Sequence, residues 1–195
     1  MAEETRTETY FVLSDTHGDA SLAEAVFRQL PEPEKINKII HLGDHQRDGY
    51  LLGERVEREV LAVRGNMDGA NSWDDFLVLD TAWGKLFLTH GHTEYAKRGP
   101  EILLSKAYEK GYRAVLYGHT HKAQFEEVGG ICLLNPGSLT RPLGGAPGSY
   151  ALLTVGPERF EAAIYYLQQA GPASTEKGRR PRGRLYGLLN NSDRF

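Results

Sequence analysis

Five short apolar runs in this chain each stop at a small cluster of polar residues. Residues 10–13 lead to Asp15, Thr16 and His17, and residues 38–42 to Gly43 and Asp44. Residues 60–63 lead to Gly65 and Asn66, residues 86–89 to His90, Gly91 and His92, and residues 114–117 to Gly118, His119, Thr120 and His121. Runs this short, bounded by such breaks, read as buried strands. Helical stretches are interleaved with them. Residues 21–30 carry Ser21 as N-cap and Glu24 at the capping-box position, and end at Pro31; residues 102–110 are closed by Gly111. Residues 125–128 and 131–134 flank Gly129 and Gly130, a hairpin signal, and residues 150–155 and 162–167 read as two more strands. The pattern is α/β with a partly antiparallel sheet.

In open α/β sheets, ligands gather at the carboxyl ends of strands. Five strand ends therefore bring Asp15, His17, Asp44, Asn66, His90, His119 and His121 towards one place. These oxygen and nitrogen donors suit manganese, iron, zinc or nickel, not a soft thiolate site. One ion with an open position would not use so many ligands, and two ions sharing a carboxylate would.

Bulk composition narrows the class. The chain has 195 residues, fits one domain and has no apolar run of membrane-spanning length. The polar N-terminus is not a signal peptide, and Cys132 is the only cysteine, so an intrachain disulfide is impossible. A cytoplasmic protein is expected. From Gly171 onward, Lys177, Arg179, Arg180, Arg182, Arg184 and Arg194 face only Glu176 and Asp193, so the body is more acidic than the net charge of −3. Such a body does not suit long nucleic acid. The expected domain covers residues 1–170, followed by a solvated basic tail over residues 171–195.

The ordered motifs Asp-x-His, Gly-Asp, Gly-Asn, His-Gly-His and Gly-His-Thr-His resemble the calcineurin-like metallophosphoesterases. The run from Arg64 to Asp68, and Asn135, Pro136, Gly137 and Ser138, resemble the small branch holding YfcE-type phosphodiesterases and the retromer subunit Vps29. The resemblance spans about residues 10–167 and implies a four-layer α-β-β-α sandwich of two mixed sheets. It also implies that Asp15, His17 and His121 hold one divalent metal, that Asn66, His90 and His119 hold a second, and that Asp44 bridges them. Manganese is the first expectation, with iron, nickel or zinc as the others. Asp44, Asn66 and His92 form the expected catalytic set, with His92 orienting a ligand. The implied chemistry is hydrolysis of a phosphodiester by a hydroxide shared between the metals.

Met67 departs from the wider superfamily, where a histidine after Gly-Asn protonates the leaving group. Methionine has no proton to give. Diesters with good leaving groups therefore suit the site better than monoesters. His45 and His92 are alternative acids, each set against a role beside the ligands. His41 reads as structural. Asp68 binds a ligand or closes a turn, and Arg64 pairs with a carboxylate or stabilises the loop, without a catalytic role. Arg47 and Arg141 are candidates for substrate phosphate. Asn135, Pro136, Gly137 and Ser138 read as a turn that buttresses the site. Trp73, Phe76, Trp83 and Tyr95 line a pocket, an oligomer face or the core. The expected partner is a small, nucleotide-derived phosphodiester, and the relatives imply a homodimer or homotetramer. The competing reading is a Vps29-like scaffold with a vestigial site. The intact ligand set favours the enzyme.

Overall fold

The computed structural model describes residues 6–69 and 74–167. Trp73, the expected domain end and the basic tail lie outside them. The first sheet has strand order β10-β9-β1-β2-β3, formed by Arg159–Tyr166, Ser149–Gly156, Glu8–Leu13, Lys38–His41 and Glu59–Ala62. The second has order β4-β5-β6-β8-β7, formed by Phe76–Thr81, Gly84–Thr89, Ala114–Leu116, Ile131–Pro136 and Ala123–Val128. Both sheets are mixed. β1 pairs in parallel with β2 and antiparallel with β9; β5 pairs in parallel with β6 and antiparallel with β4.

Strand alternation builds the layers. Tyr10, Val12, Ile40 and Leu42 face the other sheet's Leu86, Leu88, Leu116 and Leu134. The residues between them face outward. Phe11, Leu13 and Ile39 pack under helix α1 (Ala20–Arg28) and helix α2 (Gln46–Val56). Phe87, Val115 and Leu133 pack under helix α3 (Glu101–Lys110). The two sheets and their flanking helices make the four-layer α/β sandwich. Strands buried on both faces read as continuous apolar runs, which is why they stand out in the sequence. Each fully buried Leu or Phe contributes about 2 kcal/mol of burial free energy. Among the described residues, no helix is long and apolar enough to cross a membrane.

Three elements depart from expectation. α1 is capped by Asp19, not Ser21: Asp19 Oδ1 accepts the Leu22 N–H at 2.8 Å, while Asp19 N–H turns back to the Thr16 carbonyl at 3.1 Å. The loop after β1 folds early enough to place the cap two residues sooner. β4 adds an edge strand ahead of β5. α2 is a helix where none was expected, because Gly49 and Gly53 break its apparent propensity. Gly53 is there for close approach: a Cβ on it would lie 2.3 Å from Val60 Cγ2 and 2.8 Å from the Arg58 carbonyl.

Candidate metal centre

The loops after β1, β2, β3, β5 and β6 converge at one edge of the sandwich. Asp15, His17, Asp44 and His121 place one donor atom each within 4.8 Å of one another. Beside them, His90 Nε2 lies 3.2 Å from Asn66 Oδ1 and 3.4 Å from Asp44 Oδ1. The His90 and His119 rings are 5.0 Å apart, and the His17 and His121 rings 5.3 Å apart. All seven expected ligands are therefore neighbours. They form two groups that meet at Asp44.

The protonation pattern shows what these donors fit. His90 Nδ1 is 2.6 Å from the Leu42 carbonyl and must donate to it, so in the neutral ring Nε2 is the lone pair. That lone pair faces two more acceptors, Asn66 Oδ1 and Asp44 Oδ1. His121 is anchored through Nδ1 in the same way, with Nε2 in contact with a carboxylate. Its Nδ1 donates to the Arg141 carbonyl at 2.6 Å, and its Nε2 sits 3.0 Å from Asp15 Oδ1. Both ring nitrogens of His17 are buried and have no hydrogen-bond partner among the described residues, and Asp15 Oδ1 meets only His121. Acceptors facing acceptors in a buried site fit a divalent cation between them.

Titration agrees. Burial pushes the His17 imidazole down, and burial with neighbouring His90 takes His119 down to about 4. These rings are neutral at neutral pH, the form that ligates a metal. The contact with Asp15 raises His121 against the opposing effect of burial. For Asp15, burial alone would raise the carboxyl, but the contacts with His121, His90 and Ser14 outweigh it and hold it low.

Local backbone geometry supports the site. Asp15, His17, Asp44, His119 and His121 all have φ between 47° and 64°, a left-handed region that non-glycine residues rarely adopt. The loops are over-determined by hydrogen bonds. Asp15 Oδ2 accepts from Ser14 Oγ at 2.6 Å and His119 N–H at 3.1 Å, which aims Oδ1 at His121. Asp44 Oδ1 accepts the Met67 N–H at 2.9 Å. Gly65 passes so close to Asp44 that a Cβ would lie 2.2 Å from its amide nitrogen.

Other singled-out residues have definite places. Asp68 accepts from the Gly65 and Gln46 N–H groups, both at 2.9 Å, so it ties two ligand loops together. Arg64 pairs with Asp75. Asn135 Nδ2 donates to the Gly118 carbonyl at 2.9 Å, and Ser138 Oγ to the Asp15 carbonyl at 2.9 Å, so this turn braces two ligand loops. Arg141 is exposed and close enough to lower His17, whereas Arg47 is exposed on α2. Trp83 stacks on Phe160 away from the site, with the Arg113 guanidinium 3.8 Å over its ring. Phe76 is an exposed edge-strand residue against Phe87. The His45 ring lies 5.6 Å from that of His17. His92 does not orient His90; the Leu42 carbonyl does. The His92 ring sits 5.4 Å from His90, with a buried Nδ1 that has no partner among the described residues.

A network absent from the sequence reading lies behind His17. His41 Nδ1 accepts the Gly43 N–H at 3.3 Å, so its Nε2–H donates to Thr16 Oγ1 at 3.0 Å. Thr16 Oγ1 donates to Asp48 Oδ2 at 2.7 Å, and the same oxygen accepts the Gly18 N–H at 2.8 Å. Asp48, buried on the first turn of α2, thus grips the chain on both sides of His17. Asp48→Ala is expected to weaken manganese binding at the Asp15, His17 and His121 group by about 10- to 100-fold. Calorimetric titration of the metal-free variant checks this; two unchanged binding steps would disprove it.

Comparison with known proteins agrees with the site. Residues 9–158 match the calcineurin-like phosphoesterase superfamily domain. The phosphodiesterase YfcE of Escherichia coli is 33% identical over 164 residues, covering 72% of this chain and 84% of its own. The phosphodiesterase MJ0936 of Methanocaldococcus jannaschii is 30% identical over 153 residues, covering 70% and 87%. The zinc complex of Vps29 from Entamoeba histolytica superimposes with a TM-score of 0.71 at 26% identity, covering 84% and 94%. Fold, motif order and family match converge: the chain belongs to the calcineurin-like phosphoesterase superfamily, in the small branch that contains YfcE and Vps29.

Proposed function

We propose that the protein is a phosphodiesterase that uses two divalent cations, manganese first among them. The observation that carries this is the convergence of the donors: Asp15, His17, Asp44 and His121 within 4.8 Å of one another, and His90 Nε2 against Asn66 and Asp44 beside them. Asp15, His17 and His121 would hold one cation, Asn66, His90 and His119 the other, and Asp44 both. Such a pair supplies an activated water and positive charge for the phosphate oxygens. The chain's own groups do the rest. The Leu42 and Arg141 carbonyls fix the two imidazole tautomers. Asp48, through Thr16 and Gly18, holds His17 in place. The Arg141 side chain adds positive charge beside the anion. Met67 stands where a proton donor would serve the leaving group and offers none, which favours diesters with good leaving groups. The substrate is a small, nucleotide-derived diester, and the protein acts in the cytoplasm as a homodimer or homotetramer with no long nucleic acid bound. The domain is residues 1–170, with the basic tail outside it.

Bis-p-nitrophenyl phosphate and p-nitrophenyl phosphate test this reading. After chelation and refilling with manganese, the diester is expected to be cleaved about tenfold faster than the monoester or better, and not at all without metal. Faster monoester cleavage would overturn the diester preference. No cleavage with two ions bound would favour the scaffold reading, which the likeness to Vps29 supports.

A further inference from the structure

Three exposed large apolar side chains belong to residues whose backbone N–H is bonded at the metal centre or beside it. Met67 N–H donates to Asp44 Oδ1 at 2.9 Å, Tyr95 N–H to the His92 carbonyl at 3.3 Å, and Leu143 N–H to the His121 carbonyl at 3.1 Å. Their exposures are 60%, 55% and 54%. Single exposed apolar residues are ordinary. Three of them, on three separate loops and each bonded through its backbone to Asp44, His92 or His121, are a rim. Tyr95 is also held at φ 54°, a region a bulky side chain enters only when its surroundings impose it. The Arg98 guanidinium lies 5.2 Å from its ring centroid and steadies it.

A phosphodiester has two ester groups. One leaves; the other stays on phosphorus and must lie against the protein beside the metal centre. We propose that Tyr95, Met67 and Leu143 form a specificity rim that packs against an aryl or nucleobase-bearing ester group of the substrate. An aromatic group is favoured over an aliphatic one because a Tyr ring and a Met thioether both have preferred contacts with aromatic faces. The inference rests on the phosphodiester reading for its substrate class and extends it to the organic part of the molecule. Tyr95 and Leu143 are specificity residues here, and Met67 gains a positive role where it lacks an acidic one.

The test measures binding, not turnover. Diphenyl phosphate and dimethyl phosphate are titrated calorimetrically into the manganese-loaded full-length protein. The diphenyl ester is expected to bind about tenfold tighter or more. Tyr95→Asn removes the ring while tolerating the left-handed backbone, and should bring the ratio within about threefold. Tyr95→Phe should keep it, and Met67→Ala and Leu143→Ala should each lower it. A ratio near one in the wild type, or a ratio unchanged by all three truncations, would overturn the rim. Aryl preference without any hydrolysis of bis-p-nitrophenyl phosphate would uphold the rim and refute the phosphodiesterase reading, so the two fail separately.

Discussion

Replacing Asp44 by Asn should abolish manganese-dependent cleavage of bis-p-nitrophenyl phosphate while leaving the metal-free protein folded. The substitution keeps the shape. Asn Oδ1 can still accept the Met67 N–H, now 2.9 Å from Asp44 Oδ1. What disappears is the one anion placed between both ligand groups. Metal-borne charge on the phosphate lowers the barrier by several kcal/mol, so the loss should be about 10³-fold or more in kcat/KM. The metal-free Tm should hold or rise, because a buried carboxylate crowded by acceptors is relieved. Parallel kinetics and thermal melts check both halves. A variant retaining more than about a tenth of wild-type activity would show that Asp44 does not bridge two cations.

The site was more legible than the frame that supports it. Every expected ligand follows a strand, and all but the edge strand β3 are largely buried, so an apolar run followed by Asp, Asn or His marked it directly. Asp15, Asp44 and His119 needed no tertiary information beyond that. The groups that orient them left no such mark. The Leu42 and Arg141 carbonyls act through the backbone, and any residue type supplies a carbonyl. Asp48 looked like an ordinary helix residue because its partners, Thr16 and Gly18, are about 30 positions away. His92 looked like an orienting partner from sequence proximity, but a carbonyl 48 residues from His90 has that role. α2 was hidden by glycines that serve its approach to β2 and β3. Its Gly49 meets the His41 side chain, so the residue that weakens the helix also seats it on the network behind the site.

Stripping the metals should cost the protein a large part of its stability. Five of the seven ligands hold left-handed backbone, and buried acceptors face each other across the centre. The two cations of the proposed centre would compensate for both. An ion held at 1,000 times its Kd adds about 4 kcal/mol to the folded state, so two add roughly 8 kcal/mol. For a domain of this size that corresponds to a fall in Tm of roughly 15 °C or more on chelation. The Asp44→Asn protein should show much less of this fall, since it has less metal stabilisation to lose. The chelated protein should also be acid-labile. His41 is fully buried, and desolvation pushes its imidazole down to about 4. Its value in the unfolded chain is about 6.5. Between those two values the unfolded chain binds a proton that the folded chain refuses, so stability is full above pH 6.5 and drains away as pH falls towards 4. The loss is roughly 3 kcal/mol, partly offset by His121, which Asp15 raises and which therefore favours the folded state at low pH. Urea midpoints measured with chelator at pH 7 and pH 4.5 should differ accordingly, and the His41 ring resonances should titrate near pH 4. A His41 midpoint above pH 6 would mean that Thr16 and Gly43 do not hold the imidazole neutral, and the network behind His17 would have to be redrawn.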